Sequence, residues 1–330
     1  MRFALTPEQE ALRDTARRFL SERVHIRDAI GLPGAHDETL WKSIVEMGWL
    51  DGDGMTFVET TLIAEEAGRA LMPGPFTSTL IAAEAVRAAA GQPPSGPCAV
   101  RLDAARVRFV RNRLRGDIAS VPCAAVAEQI LVTATTASGP AAFLVPATAA
   151  TIEPIESADL TRPGARVTFA GAKIETSFDA ASLPPMLDRA RVLFAADAVG
   201  GAAKALEMAV AYAKDRVQFD RPIGSFQAVK HRAADAWRAL EAARLATWYA
   251  AWAIEHGAGD ASTAARAAKA MACDAFVRCA ADSIQIHGGI GFTWEHDAHL
   301  YYRRALADQA MLGDATSQRD AIAADVLAKA

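Results

Sequence analysis

Several things are scarce in this sequence, and each scarcity narrows the reading. No window holds about 18 uninterrupted apolar residues, so no membrane-spanning helix is expected. The opening "MRFALTPEQEALRDTARRFL" lacks the basic start, apolar run and small-residue cleavage site of a secretory leader, and cytoplasm is the expected location. Cysteine occurs four times, at Cys98, Cys123, Cys273 and Cys279, without close pairing and without histidines in a zinc pattern. That excludes a disulfide scaffold and a zinc module and predicts reduced, mostly buried thiols. The formal net charge is −4 with acids and bases interleaved, so no basic face is expected, and neither nucleic acid nor an anionic membrane is an expected partner. Internal repeats, low-complexity tails, a phosphate loop and a dinucleotide fingerprint are also missing. "AVGGAA" sits in a helical stretch without the strand such a fingerprint needs.

What is present describes a folded chain. Hydrophobic residues make up 52% and charged residues 22% of 330, which fits one large domain or two to three small ones. Thr6-Pro7-Glu8-Gln9 has the hydroxyl, proline and reaching glutamine of a helix start. Helical spacing continues at about 38–48, 56–71 and 76–90, broken by Gly52, Gly54, Pro73, Gly74 and Pro75. From "GQPPSGP" onward, short β-branched runs follow: "RVRFV", "QILVTATT", "AAFLVP", "TIEPI" and "ARVTF". Their spacing predicts a small antiparallel sheet, sandwich or barrel. After "ASLPP" come three long alanine-rich helical stretches, suited to close packing against one another. The expected fold is α+β and mainly α: an N-terminal helical domain (1–92), a middle β domain (93–180) and a C-terminal four-helix bundle (181–330).

Two clusters interrupt the last region. In "DRVQFDRPIGSFQAVKH" a helix is expected to end near Phe219, with Pro222-Ile223-Gly224 turning the chain into a new helix at about Ser225. Arg216 and Gln218 lie at that junction. A guanidinium there suits phosphate oxygens and an amide suits a sugar or ring edge, while capping of two helices remains the alternative. In "QIHGGIGFTWEH", Gln285 precedes Gly288, Gly289 and Gly291. A helix stop needs one glycine, and three imply a backbone approached closely by a ligand or a neighbouring subunit. Neighbouring His287, His296 and His299 lack metal spacing and are expected at helix ends or an interface. Trp237, Trp248 and Trp252 along one helical stretch are expected to pack.

These motifs resemble the acyl-CoA dehydrogenase family. "FALTPEQEALRDTARRFL", "EEAGRALMPGPF", "RVQFDRPIGSFQ" and "QIHGGIGFTWEHDAHLYYRRA" occur in family order and span nearly the whole chain. The resemblance implies an FAD-dependent α,β-desaturation of an acyl-CoA substrate, with FAD bound between subunits of a dimer or tetramer. Arg216, Gln218, Phe219 and Gln227 would meet the pyrophosphate and ring. Gln285, Gly288 and Gly289 would receive the ADP portion of a neighbour's cofactor. Arg191 matches a family arginine that contacts CoA and Asp188 a nearby polar contact, with a surface ion pair as the alternative. Electron-transfer flavoprotein or a similar acceptor would reoxidise the flavin.

The chain also departs from the family. Where many members carry a glutamate base before a glycine, "RRALADQAMLGDATSQ" has Leu312. Other members place the base fourteen residues before the first glycine of the second motif, which here is Asp274. Its neighbours Met271, Ala272, Ala275, Phe276 and Val277 predict a poorly solvated carboxylate that holds its proton near working pH. Asp274 is the candidate base, an idle helix-surface aspartate is the alternative, and Asp314 is a weaker candidate. The Thr-Glu-Pro…Gly-Ser stretch and the Trp-(Ser/Thr) strand that cover the flavin ring in the family are missing between Gly91 and Lys173. That pattern resembles one subunit of the heteromeric actinobacterial dehydrogenases that act on bulky steroid side-chain thioesters. The chain would then join a longer acyl-CoA dehydrogenase subunit in a heterotetramer, either as a working half or as a non-catalytic half-site. A flavoprotein oxidising a non-thioester substrate is the third reading.

Overall fold

A computed structural model of the chain describes residues 4–328 with the exception of Asp53 and Glu175. Five helices come first: α1 (Pro7–Arg23), α2 (Ile26–Ile30), α3 (Glu38–Glu46), α4 (Phe57–Arg69) and α5 (Phe76–Ala88). Eight strands follow: β1 (Cys98–Arg101), β2 (Arg108–Val110), β3 (Arg113–Pro122), β4 (Gln129–Thr136), β5 (Gly139–Pro146), β6 (Thr151–Pro154), β7 (Gly164–Lys173) and β8 (Thr176–Phe178). The remainder is α6 (Leu183–Asp215), the short strands β9 (Val217–Gln218) and β10 (Arg221–Pro222), then α7 (Gln227–Glu255), α8 (Ala261–His287), α9 (Ala298–Ala310) and α10 (Ala315–Leu327). The chain divides into two compact units, residues 1–21, 57–71 and 194–330 in one and 22–56 and 72–193 in the other.

The first unit is helical. At the start of α1, Thr6 N–H donates to Gln9 Oε1 (3.1 Å) and Gln9 N–H to Thr6 Oγ1 (3.3 Å), the reciprocal cap the sequence predicts. Helix α7 runs along α8, α9 and α10 lie against α8, and α4 packs on α7. Two glycines allow α6 to cross α4 at backbone contact. A Cβ on Gly68 would stand 2.0 Å from Asp197 O, and one on Gly200 only 1.7 Å from Glu65 O. The "AVGGAA" glycines are therefore packing devices, and Gly201 lies under the Phe276 ring. Two buried carboxylates inside this unit meet cations. Arg304 and Asp197, both fully buried, pair at 3.4 Å, and buried Glu65 accepts from Arg244 Nε (2.8 Å) and Trp248 Nε1 (3.0 Å).

The second unit carries the sheet. Its strand order is β6-β7-β3-β2-β4-β5-β8, with β1 also paired to β4. Strand β5 covers one side of β4 antiparallel, while β1 (Cys98↔Gln129) and then β2 (Arg108↔Thr135) cover the other, both parallel to it. The sheet is thus mixed where an antiparallel one was expected, and its path ends at β6 and β8 without closing into a barrel. Alternating residues, among them Leu114, Ile118, Ile130, Val132, Phe143, Val145, Val167 and Phe169, form its core. Helix α5 is buried from Phe76 to Val86, and the Cys98 N–H donates to Thr79 Oγ1 (2.9 Å). All four cysteines are buried and none is joined in a disulfide, and burial pushes the Cys98 and Cys279 thiols up to about 12.

Candidate functional site

The first cluster forms a projecting hairpin. Helix α6 stops at Asp215, earlier than expected, and β9 and β10 pair as Gln218↔Arg221 and Val217↔Pro222. Phe219 (φ 54°) and Asp220 (φ 61°) make the turn between them. Left-handed backbone at both central positions matches the twist of a two-residue hairpin, and it is uncommon for a bulky phenylalanine. That conformation leaves Phe219 85% exposed, edge-on to Phe226 at 6.1 Å, while Arg221 lies 4.1 Å over the Phe226 ring. Arg216, Gln218 and Gln227 are exposed as well. The Gln218 amide donates to Val217 O (2.9 Å).

The second cluster caps α8, and its three glycines have separate reasons. Gly288 ends the helix at φ 65°, a Cβ on Gly291 would stand 2.8 Å from Ile284 O, and a Cβ on Gly289 would meet nothing within 4 Å. The structure brings the two clusters to one end of the helical unit. Ala209 and Ala213 of α6 pack with Ile286 of α8, and Tyr212, Ile223 and Val229 close around them. Tyr212 lies 4.6 Å from the His287 ring, which lies 4.1 Å from His296. His287 Nδ1 donates to Ser283 O (2.7 Å), and burial holds its pKa below the usual 6.5, with His296 acting in the same direction. The aromatic stack was not legible in the sequence. Its only trace was the placement of Tyr212 one turn before the helix end.

Asp274 is not part of that end. It sits fourteen residues before Gly288 on the same helix, about 21 Å away at 1.5 Å per residue. The poorly solvated surroundings expected for it are not found. Its side chain is 44% exposed and its Oδ2 lies 2.5 Å from Arg319 Nη2 of α10, because the buried neighbours Ala272, Ala275 and Phe276 face other directions around the helix. Met271 and Val277, on the same face as Asp274, are only partly buried. Asp314 caps α10, accepting from Ser317 N–H (2.8 Å) and Ser317 Oγ, and those hydrogen bonds lower its pKa. Leu312 is buried at φ 58°. Asp188 and Arg191, in the other unit, pair with each other at 2.6 Å. Both are buried, so theirs is not a surface pair. Trp248 packs as expected through its bond to Glu65, whereas Trp237 is 59% exposed. It lines a groove of about 760 Å³ with Ala203, Leu206, Val210 and Leu240.

The residues at the shared end suit the dinucleotide that the family resemblance implies. Arg216 is exposed and forms no ion pair with a described residue, so its fork is available to a diphosphate. The buried Ser225 hydroxyl has no partner among the described residues, and the Gly288–Gly289 backbone is bare on its outer side.

The N-terminal domain of acyl-CoA dehydrogenase matches residues 6–92 and its C-terminal domain residues 183–327. Acyl-CoA dehydrogenase IpdE2 of Mycobacterium tuberculosis is 33% identical over 91% of this chain and 92% of its own length. Among solved structures, a variant of the Tcur3481-Tcur3483 steroid ACAD superposes with a TM-score of 0.87 at 30% identity, covering 98% of each chain. The ChsE4-ChsE5 complex of M. tuberculosis superposes at 0.88 with 25% identity and 99% coverage of each.

Proposed function

Because the chain belongs to the acyl-CoA dehydrogenase family, FAD-using oxidoreductases, we propose that it is one half of a two-chain dehydrogenase desaturating a bulky acyl-CoA of the steroid side-chain class. The observation that carries this reading is the shape of the cofactor end. Arg216, Gln218, Phe219, Gln227, Gln285, Gly288 and Gly289 are all exposed on the single chain, which supports a second polypeptide enclosing what they hold. Two of the similar solved structures are complexes of two named chains, which supports the same assembly.

On this reading Arg216 pairs with the diphosphate of FAD, Phe219 and Gln218 lie at the ring side, and Gln285 with the two glycines receives the adenosine side. FAD, when bound, accepts the β-hydride of the acyl chain. The CoA contacts that the family resemblance implies would fall on Asp188 and Arg191, which in this chain are buried and paired with each other. The longer partner supplies the proton acceptor, because Asp274 is engaged by Arg319 and half in water. An electron-transfer flavoprotein or similar carrier takes the electrons onward. Domain limits of 1–92, 93–180 and 181–330 belong to this proposal, and the extents of the two family domains support the outer pair.

The test is spectroscopic. The chain purified alone should be colourless, and co-expression with a longer acyl-CoA dehydrogenase subunit should give a yellow complex bleached by a steroid side-chain acyl-CoA. A yellow single chain bleached by acyl-CoA would refute the half-site reading and place the proton acceptor in this chain.

A further inference from the structure

The β2–β3 hairpin concentrates cations to a degree the whole-chain charge conceals. Arg106, Arg108, Arg111, Arg113 and Arg115 fall within ten residues that contain no acid, and all five are exposed. Register then sets like charges face to face. Arg108 on β2 lies directly opposite Arg115 on β3, and Arg113 lies directly opposite Lys173 on β7. Cross-strand like charges destabilise a sheet. Two adjacent pairs of them are therefore not explained by folding.

The backbone is arranged to bring these side chains together. At Gly171 (φ +112°) the pairing of β7 with β3 shifts register between Leu114 and Arg115. The carbonyl turned out by this bulge accepts from Arg113 Nη1 (2.8 Å). A Cβ on Gly171 would lie 3.4 Å from Arg115 Nη2 and 3.7 Å from Arg113 Cδ, so two arginine side chains lie over one bare glycine. None of the five arginines forms an ion pair with a described residue. The carboxylate two positions along, Asp117, is 3.5 Å from Arg166 instead.

We propose that this arginine ladder is a docking surface for the carboxylates of an acidic protein. The array spans three strands about 4.8 Å apart, with same-face neighbours about 6.8 Å apart along β3, which is wider than one phosphate group. That grid matches successive acidic side chains on a partner helix or strand, and the guanidinium fork matches a carboxylate in two hydrogen bonds. Nucleic acid fits less well. Phe109, the aromatic within the hairpin, is partly buried against Phe143 at 4.8 Å and offers no stacking platform.

Fluorescence anisotropy of a labelled glutamate-rich peptide, with the full-length chain at low and at physiological salt, tests this. The peptide should bind at low salt and weaken as salt rises. Arg108→Thr/Arg115→Thr should weaken it by roughly tenfold or more, while Lys42→Thr/Lys230→Thr, removing exposed cations elsewhere, should leave it unchanged. Relief of the facing charges should leave the double variant's melting temperature equal or raised at low salt. Absence of peptide binding, equal loss in the lysine control, or a lowered melting temperature would overturn the proposal. Tighter binding of a single-stranded oligonucleotide of equal charge would overturn the choice of a protein partner.

Discussion

Asp274 on α8 and Arg319 on α10 are joined by a 2.5 Å contact between Oδ2 and Nη2, with side chains 44% and 56% exposed. A carboxylate so placed is hydrated and already committed to a cation, the opposite of what a proton acceptor for a weakly acidic carbon needs. Asp274→Asn in the assembled enzyme should leave the rate of flavin reduction by acyl-CoA within about twofold, as stopped-flow absorbance would show. A base at this position would instead lose several orders of magnitude. Exposed pairs contribute little, so Arg319→Ala should cost less than about 1 kcal/mol in urea unfolding.

The Arg304–Asp197 pair behaves differently because neither side chain reaches water. Removing one partner strands a buried charge. Arg304→Met should lower stability by about 3–5 kcal/mol, and adding Asp197→Asn to it should recover part of that loss. Denaturant midpoints of the two single variants and the double variant decide this.

Glycines divide by what surrounds them. Gly200→Ala drives a methyl into the Glu65 carbonyl 1.7 Å away, and should cost about 3 kcal/mol or more by forcing α6 off α4. Gly289→Ala meets nothing within 4 Å and should leave the melting temperature unchanged while weakening FAD binding. Thermal scans paired with cofactor titration separate the two effects.

How far the sequence disclosed all this depends on how local the cause was. The Thr6–Gln9 cap, the helix at 76–88 and the strand at 129–136 follow from neighbours within a few residues, and they appear where expected. Strand β3 was missed because Arg113, Gly116, Asp117 and Pro122 dilute its β-branched residues, and its place in the sheet comes from β2 and β7. The β9–β10 hairpin was hidden for a related reason, since a phenylalanine at positive φ is not a turn signal. Asp274 was misjudged from sequence neighbours because Arg319, which fixes its surroundings, is 45 residues away.

His287 contributes to the acid side of the stability profile, as does His36, whose pKa burial also lowers. The folded pKa of His287 is below the usual 6.5, with burial the largest cause, so it is neutral in both states at higher pH. As pH falls below about 6.5 the unfolded chain binds the proton first and stability declines, by at most about 1.4 kcal/mol per pH unit, until His287 itself protonates at its lower folded value. His287→Gln should flatten this decline in urea unfolding between about pH 7.5 and 5. An identical slope in the variant would place the decline elsewhere.

The most direct test of the half-site account is the FAD content, after dialysis, of three samples: this chain alone, its co-purified complex with the longer subunit, and the complex carrying Arg216→Ala. The account predicts little flavin in the first and full occupancy in the second. In the third, FAD affinity should fall by roughly tenfold to a hundredfold, the worth of a hydrogen bond to a charged group. Full occupancy of the isolated chain, or an Arg216→Ala complex that keeps all its flavin, would contradict it.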